Sequence, residues 1–393
     1  MKILVLGYGA VGSVLAQLLH KDSAVTKVIV ADILFNKEKK FEKMHHMKVN
    51  LKNKSQLAAI IKKQMPDVVI NASSPNFNED ILAACTKVGV NYLDLAACWE
   101  PDSDKKARSP YKIEQFDFDK QFREKKILGL IESGVSPGMT NLFVRECADE
   151  FDVLDDVKIR LVDYSGSNEL HFAWSKEALL DEISSKPLVY QNGKFKIVEP
   201  FSDTESYTFP KPYGKREVSL ICQDEIGTIP FYIKLKNIDI KDYDNQVDIH
   251  QFLYKLGIIS KEKIKFGKMK ISPFEFAAKV LPNVSFGIDD PKYAEAQFAF
   301  AIEATGKVKK RRKRLRYYVS FPRQKELNKL RLGANFVSYP AALCAKLFAM
   351  AIPRIKTVGI IPPEALDKEV RRFIVSELVK TKHVRIKKEY LPT

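Results

Sequence analysis

Hydrophobic positions in the first third of the chain come in short continuous runs. The segments "KILVLG", "KVIVAD", "DVVINA", "NYLDLA" and "ILGLIES" are rich in Val, Ile and Leu without a polar face, the pattern of strands covered by helices on both sides of a parallel sheet. Between them, "GSVLAQLLHK", "SQLAAIIKKQ" and "NEDILAACTKVG" place apolar residues at helical spacing. Strands and helices alternating at this length predict an α/β, Rossmann-type doubly wound sheet over residues 1–134.

From about Val157 the pattern changes. "VKIRLVDYSG", "KFKIVEP", "EVSLICQ", "FYIKLKNIDI", "AQFAFAIEAT" and "RYYVSF" are longer and often alternate. They predict an inserted α+β domain over 135–336 with a mostly antiparallel sheet, interrupted by helices at "DIHQFLYKLG" and "SPFEFAAKVL". After Phe336 the pattern is helical again. Pro340 suits the first turn of "YPAALCAKLFAMA", and "PPEALDKEVRRFIVSELVK" makes a further helix.

At 393 residues, 45% apolar and 29% charged, the chain has the composition of an ordinary globular protein with more than one core. No apolar stretch reaches the roughly 18 residues that cross a bilayer, and no cleavable signal pattern opens the chain, so a soluble cytoplasmic protein that avoids membranes is expected. Cys85, Cys98, Cys147, Cys222 and Cys344 are odd in number and widely spaced. Reduced thiols are expected, with no disulfide framework and no metal site. The formal charge of +16 is unevenly placed, since "KVKKRRKRLR" at Lys307 to Arg316 supplies eight cations. Such a cluster can release counterions from nucleic-acid phosphates. Two strand-like flanks and no interleaved aromatics favour a solvated hairpin turning at Gly306.

Chemistry enters at "LGYGAVGSVLAQLL". Gly7, Gly9 and Gly12 form GxGxxG where a strand gives way to a helix. One glycine makes the turn, one lets a diphosphate approach the amides of the Tyr8, Ala10 and Val11 stretch, and one lets helix and strand pack closely. The next strand ends in Asp32, twenty positions after Gly12, where an acid accepts hydrogen bonds from ribose hydroxyls. A nicotinamide dinucleotide, NAD(H) or NADP(H), is the expected cofactor. Asp32 would repel a 2′-phosphate and favours NAD, whereas Lys37, Lys39 and Lys40 could host that phosphate. Ala72 and Ser73, in "NASSPNFN" beyond another strand, are candidates to line the cofactor, although a loop capping the next helix fits the same residues.

Several segments together resemble the saccharopine dehydrogenase family: "VLGYGAVGSVLAQLL", "VGVNYLDLA", "GVSPGMTNL", "HFAWSKEALLDE" with "VYQNGKF", "FPKPYGKREV", "EIGTIP", "SYPAALCAKL" and "VGIIPPEALD". The resemblance implies hydride transfer at an imine carbon between amino-acid or amine partners. It also implies a homodimer and, over 337–393, C-terminal helices that return to the first domain. By position it makes Arg216, with Lys215 beside it, a carboxylate-binding candidate. His171, heading "HFAWS", stands where the family carries lysine and is the candidate proton carrier. Trp174 and Ser175 would flank the substrate, although Trp174 also reads as a core indole. Asp94, ending "NYLD", could orient a water or an amine, or cap a turn. The family's aspartate and cysteine, regarded as acid and base, are here Ser136 and Ser165. Neither hydroxyl titrates near neutral pH, which points away from saccharopine and toward lysine or a carboxylated polyamine. Cys98 could stand in as a thiol, though a plain buried cysteine fits it as well.

Overall fold

The computed structural model describes residues 1–35, 41–98, 100–102, 109–282 and 286–392. Two compact units divide the chain. One comprises Met1–Arg145, Gly227–Ile233 and Ser338–Lys382, and the other comprises Glu146–Ile226, Lys234–Val337 and His383–Thr393.

The first unit is built on a seven-stranded parallel sheet. Its order is Gly359–Ile361, Leu128–Leu130, Asn91–Asp94, Val68–Asn71, Lys2–Leu6, Lys27–Asp32 and Met44–Lys48. Ile3, Leu4, Val5 and Leu6 are wholly buried, which is why the first run has no polar face. The strand order reverses between Lys2–Leu6 and Val68–Asn71, so a crevice opens beyond the carboxyl ends of those two strands. The helices Ala10–His20 and Ser338–Ala351 both belong to this unit. Three residues near the end of the chain, Gly359–Ile361, extend the sheet.

The second unit carries a nine-stranded sheet. Its main path runs Lys194–Ile197, Leu188–Gln191, Asn237–Asp244, Val153–Tyr164, Gln297–Val308, Arg311–Ser320 and Arg385–Leu391, with Thr204–Thr208 and Lys215–Leu220 joined through Asn237–Asp244. The pair Asn237–Asp244 and Val153–Tyr164 is parallel and the other pairs are antiparallel. One core packs around the helices Lys176–Ser184, Val247–Lys255 and Pro273–Val280, through Phe172, Leu180, Ile183, Leu253 and Ala277. Another is aromatic, with Tyr207, Phe209, Tyr213 and Tyr318 around Val162 and Val218.

Three details depart from the sequence reading. Arg385–Leu391 form an edge strand on Arg311–Ser320 in the second unit where helix was expected. With Arg385, Lys387, Lys388 and Glu389 in seven residues, it shows no apolar face, as charged edge strands often do not. The basic hairpin turns at Lys309 and Lys310, which adopt φ of 47° and 67°, and not at Gly306. Gly306 faces the neighbouring strand at a bulge, where a Cβ would lie 2.2 Å from the Val153 carbonyl oxygen. In "FYIKLKNIDI" the first two residues end the helix Glu225–Tyr232, and the strand starts only at Asn237. Among the described residues, no helix is long and apolar enough to cross a membrane.

Candidate functional site

In the first unit the glycine turn has the geometry a diphosphate needs. Gly7 has φ +105°, and a Cβ there would lie 2.7 Å from the Ala72 carbonyl oxygen. At Gly12 a Cβ would lie 2.2 Å from the Gly7 carbonyl oxygen. Both positions exclude any side chain because the obstacle is backbone. Gly9 differs, since a Cβ there would meet nothing within 4 Å. The space in front of Gly9 is open, at the N-cap of the helix Ala10–His20. The first-turn amides of Ala10, Val11 and Gly12 have no intrahelical acceptors and offer an anion site. The residues present therefore fit a dinucleotide.

Asp32 ends its strand beside this turn. Its Oδ2 accepts the Tyr8 amide at 2.6 Å and its Oδ1 accepts the Leu34 amide at 3.1 Å. The Tyr8 ring packs on Phe35 and His46, closing the turn's outer side. Ala72 abuts Gly7 and Gly12, and the Ser73 hydroxyl turns to Asn71 Oδ1 at 2.6 Å. Lys37, Lys39 and Lys40 lie outside the described residues.

Asp94 is buried in the same unit. It accepts Gln115 Nε2 at 3.0 Å and the Glu132 amide at 2.7 Å. Burial pushes its carboxyl up to about 7 against these hydrogen bonds. Asp94 thus ties the end of its strand to the turn after Leu128–Leu130. Cys98 donates its amide to the Glu114 carboxylate.

The second unit holds a cavity enclosing about 540 Å³ of empty space, its open mouth included. Four carboxylates line it: Asp163, Asp242 and Asp244 from the sheet, and Glu182 from the helix Lys176–Ser184. Strand parity explains the first three. Asp242 and Asp244 are two residues apart and share a face, and Asp163 is the direct cross-strand partner of Asp244. Phe201, Phe336, Trp174 and Ile183 supply apolar walls, and among the described residues no Lys or Arg lines the cavity. Burial holds the Asp163, Asp242 and Glu182 carboxyls well above the usual carboxylate range. Mutual repulsion with the Asp244 charge adds to it. Four acids in an apolar wall without a cation form a site short of positive charge.

Two histidines complete this lining, and they differ. The His171 amide donates to Gln246 Oε1 at 3.0 Å. Its Nδ1 lies 2.9 Å from the Glu169 carbonyl, which can only accept, so Nδ1 carries the proton. Its Nε2 then accepts from the Gln246 amide nitrogen at 3.3 Å. Both ring nitrogens are engaged, and burial lowers the ring's basicity. His250, which the sequence reading missed, has Nδ1 2.8 Å from Asp244 Oδ2. The other Asp244 oxygen accepts the Gln246 amide at 2.8 Å. No motif marks His250, because it lies within an ordinary amphipathic helix; only the fold brings it to Asp244.

The remaining expected residues are distributed as follows. Trp174 lines the cavity. Ser175 is exposed, caps the helix Lys176–Ser184 through the Ala178 amide and donates to Glu177. Arg216 is three residues from Ser219, which lines the cavity, so its side chain takes the opposite face, over the Tyr243 ring at 5.4 Å. Lys215 is exposed. The Ser165 hydroxyl donates to the Ser167 carbonyl at 2.9 Å, and Ser136 precedes a cis proline. Within the basic run, Arg314 pairs with Glu303 and Arg316 with Glu389. Among the described residues, no group of three or more His, Cys, Asp or Glu is placed to hold a metal ion.

Comparison with known proteins identifies the family. Residues 3–129 match the family model for the saccharopine dehydrogenase NADP binding domain, and residues 134–383 match that for the saccharopine dehydrogenase C-terminal domain. A carboxynorspermidine synthase of Vibrio alginolyticus is 26% identical over 305 residues, covering 72% of this chain and 73% of that protein. A carboxyaminopropylagmatine dehydrogenase of Synechocystis is 24% identical over 306 residues, 72% of each. Among solved structures, saccharopine dehydrogenase (L-Glu forming) from Saccharomyces cerevisiae superposes with a TM-score of 0.70 at 12% identity over the whole of both chains. The homospermidine synthase from Legionella pneumophila, in complex with NAD, gives 0.66 at 13% identity, covering 99% of this chain and 91% of that one. At such identities these two structures speak for the fold.

Proposed function

Because this chain belongs to the saccharopine dehydrogenase family and is an NAD(P)-dependent oxidoreductase acting on amine-derived substrates, we propose that it makes or breaks the secondary amine of a carboxylated polyamine. The observation that carries this reading is the cavity with four carboxylates and, among the described residues, no lining cation. An adduct of two amino acids, such as saccharopine, brings several carboxylates of its own, and these walls would repel them. A diamine brings ammonium groups on a methylene chain, which match the acids and the aromatic walls in turn. Two relatives are named a carboxynorspermidine synthase and a carboxyaminopropylagmatine dehydrogenase, and the substrate class is taken from the cavity together with these names.

The cofactor supplies or accepts a hydride at the imine carbon. The turn from Gly7 to Gly12 would hold its diphosphate and Asp32 its adenosine ribose. The carboxylate of Asp32 favours NAD(H) over NADP(H). In the second unit, Asp163, Asp242 and Glu182 hold one ammonium of the diamine, and Trp174 covers its methylene chain. The test is reduction at saturating NADH or NADPH with two substrate pairs: aspartate semialdehyde plus a diamine, and 2-aminoadipate semialdehyde plus glutamate. Turnover of the first pair is expected. Turnover of the second pair alone would refute the proposal.

A further inference from the structure

We propose that His250, oriented by Asp244, is the base that removes a proton from the reacting amine. This rests on the reading that the acidic cavity receives the amine. His250 is only 4% exposed, and it lines the cavity on the helix Val247–Lys255. Asp244 accepts from Nδ1, which puts the ring proton there and leaves Nε2 as an unshared electron pair. That Nε2 is buried and meets no hydrogen-bond partner among the described residues. A buried, unsatisfied ring nitrogen is costly unless a ligand completes it. Asp244 is itself fixed, with its second oxygen on the Gln246 amide. A carboxylate that sets the tautomer of an imidazole whose far nitrogen is free is the arrangement of a general base. His171 lacks this freedom, since Gln246 occupies its Nε2.

The chemistry needs one such group. An ammonium has no electron pair with which to attack an aldehyde carbon. In the proposed step an N–H bond of the ammonium breaks and its electron pair stays on the amine nitrogen. The proton forms a new bond at His250 Nε2. The positive charge moves onto the imidazolium, where the Asp244 carboxylate offsets it. In the condensation the amine pair forms the C–N bond as the C=O π pair moves to oxygen, which takes a proton from that nitrogen and becomes a hydroxyl. The His250 proton then passes to this hydroxyl as the C–O bond breaks, water leaves, and the nitrogen pair completes the C=N bond of an iminium. The second ammonium of the diamine stays charged against Asp163, Asp242 and Glu182. The cavity thus treats the two ends of one molecule differently.

The test uses the full-length enzyme with NADH, His250→Gln, His250→Ala and, for comparison, His171→Gln. The groups facing His250 are Asp242 and Asp244 on its neighbouring strand, Asp163 on the next strand, Glu182 on the facing helix, and His171. The pH profile is therefore read as a difference between variants. Expected is a fall in kcat of roughly 10²- to 10⁴-fold for His250→Gln, with the acid limb of the wild-type profile lost. Added imidazole should restore part of the rate to His250→Ala, and His171→Gln should lose much less. NADH affinity, measured by fluorescence, and the thermal unfolding of the whole chain should be unchanged in all three, which separates misfolding from lost chemistry. A His250→Gln enzyme that keeps kcat within about threefold with its acid limb intact overturns the role of His250 alone. If the wild type turns over no diamine, the reading of the cavity itself is overturned. Ring ¹⁵N signals of histidine-labelled protein give an independent check, since a proton resting on His250 Nε2 in the free enzyme contradicts the proposal whatever the substrate.

Discussion

Replacing Gly9 by alanine separates cofactor binding from folding. Gly9 has φ −76°, which alanine adopts without strain, and its Cβ would meet no protein atom within 4 Å. Folding should therefore be unharmed, or gain about 0.4–1 kcal/mol from reduced freedom of the unfolded chain. The same methyl would stand in the open space where the diphosphate must meet the helix amides. Losing one charge-assisted hydrogen bond there costs about 1.5–3 kcal/mol, or roughly 10- to 150-fold in Kd. Gly12→Ala is the contrast. Its Cβ would lie 2.2 Å from the Gly7 carbonyl oxygen, so the turn must move and the unfolding temperature should drop along with affinity. Fluorescence titration with NADH and a thermal melt on each variant read both quantities. Gly9→Ala binding NADH as tightly as wild type would refute the assignment of the turn, and a lowered melting temperature for Gly9→Ala alone would refute its packing.

Three further outcomes are expected. For Asp94, burial raises the folded carboxyl to about 7, while the unfolded one titrates near 3.9. The folded state therefore holds the proton longer, and Asp94 costs stability as pH rises from about 4 to about 7. The cost grows toward roughly 4 kcal/mol at 1.36 kcal/mol per unit. Urea melts of wild type and Asp94→Asn should diverge over that range, with the variant gaining relative to wild type; parallel curves would contradict the burial argument. Asp32→Ala should narrow or reverse the ratio of NADH to NADPH affinity, and an unaltered ratio would mean the carboxylate takes no part in the choice. Glu182→Gln, which removes a charge but keeps the volume, should raise the KM for the diamine several-fold while leaving the Kd for NADH unchanged, both readable from steady-state rates and a fluorescence titration.

The sequence was most informative where one residue type is demanded by backbone geometry. Gly7 and Gly12 are glycines because a Cβ would strike a carbonyl, and their spacing shows in the linear string. Continuous apolar runs likewise gave away the parallel strands, since burial on both faces leaves no polar period to misread. The acidic cavity was not legible in this way. Asp163, Asp242 and Asp244 come from two strands some eighty residues apart and meet because those strands pair in parallel register. Glu182 and His250 join them from helices whose polar positions look like any solvent-facing ones. Arg216, whose segment invited a carboxylate-binding role, lies by strand parity on the face of the sheet opposite the cavity, over Tyr243. The charged edge strand Arg385–Leu391 was hidden because its stability comes from the neighbour's ladder and not from its own pattern.

Calorimetric titration of 1,3-diaminopropane into the NADH-loaded enzyme, repeated across pH and in buffers of different ionisation enthalpy, addresses the cavity most directly. Asp163, Asp242 and Glu182 hold their protons above the usual carboxylate range, so a bound ammonium must displace them. Binding should release protons to the buffer and tighten as pH rises. Diamine affinity that is absent or independent of pH, with glutamate binding in its place, would contradict a cavity built for a cation.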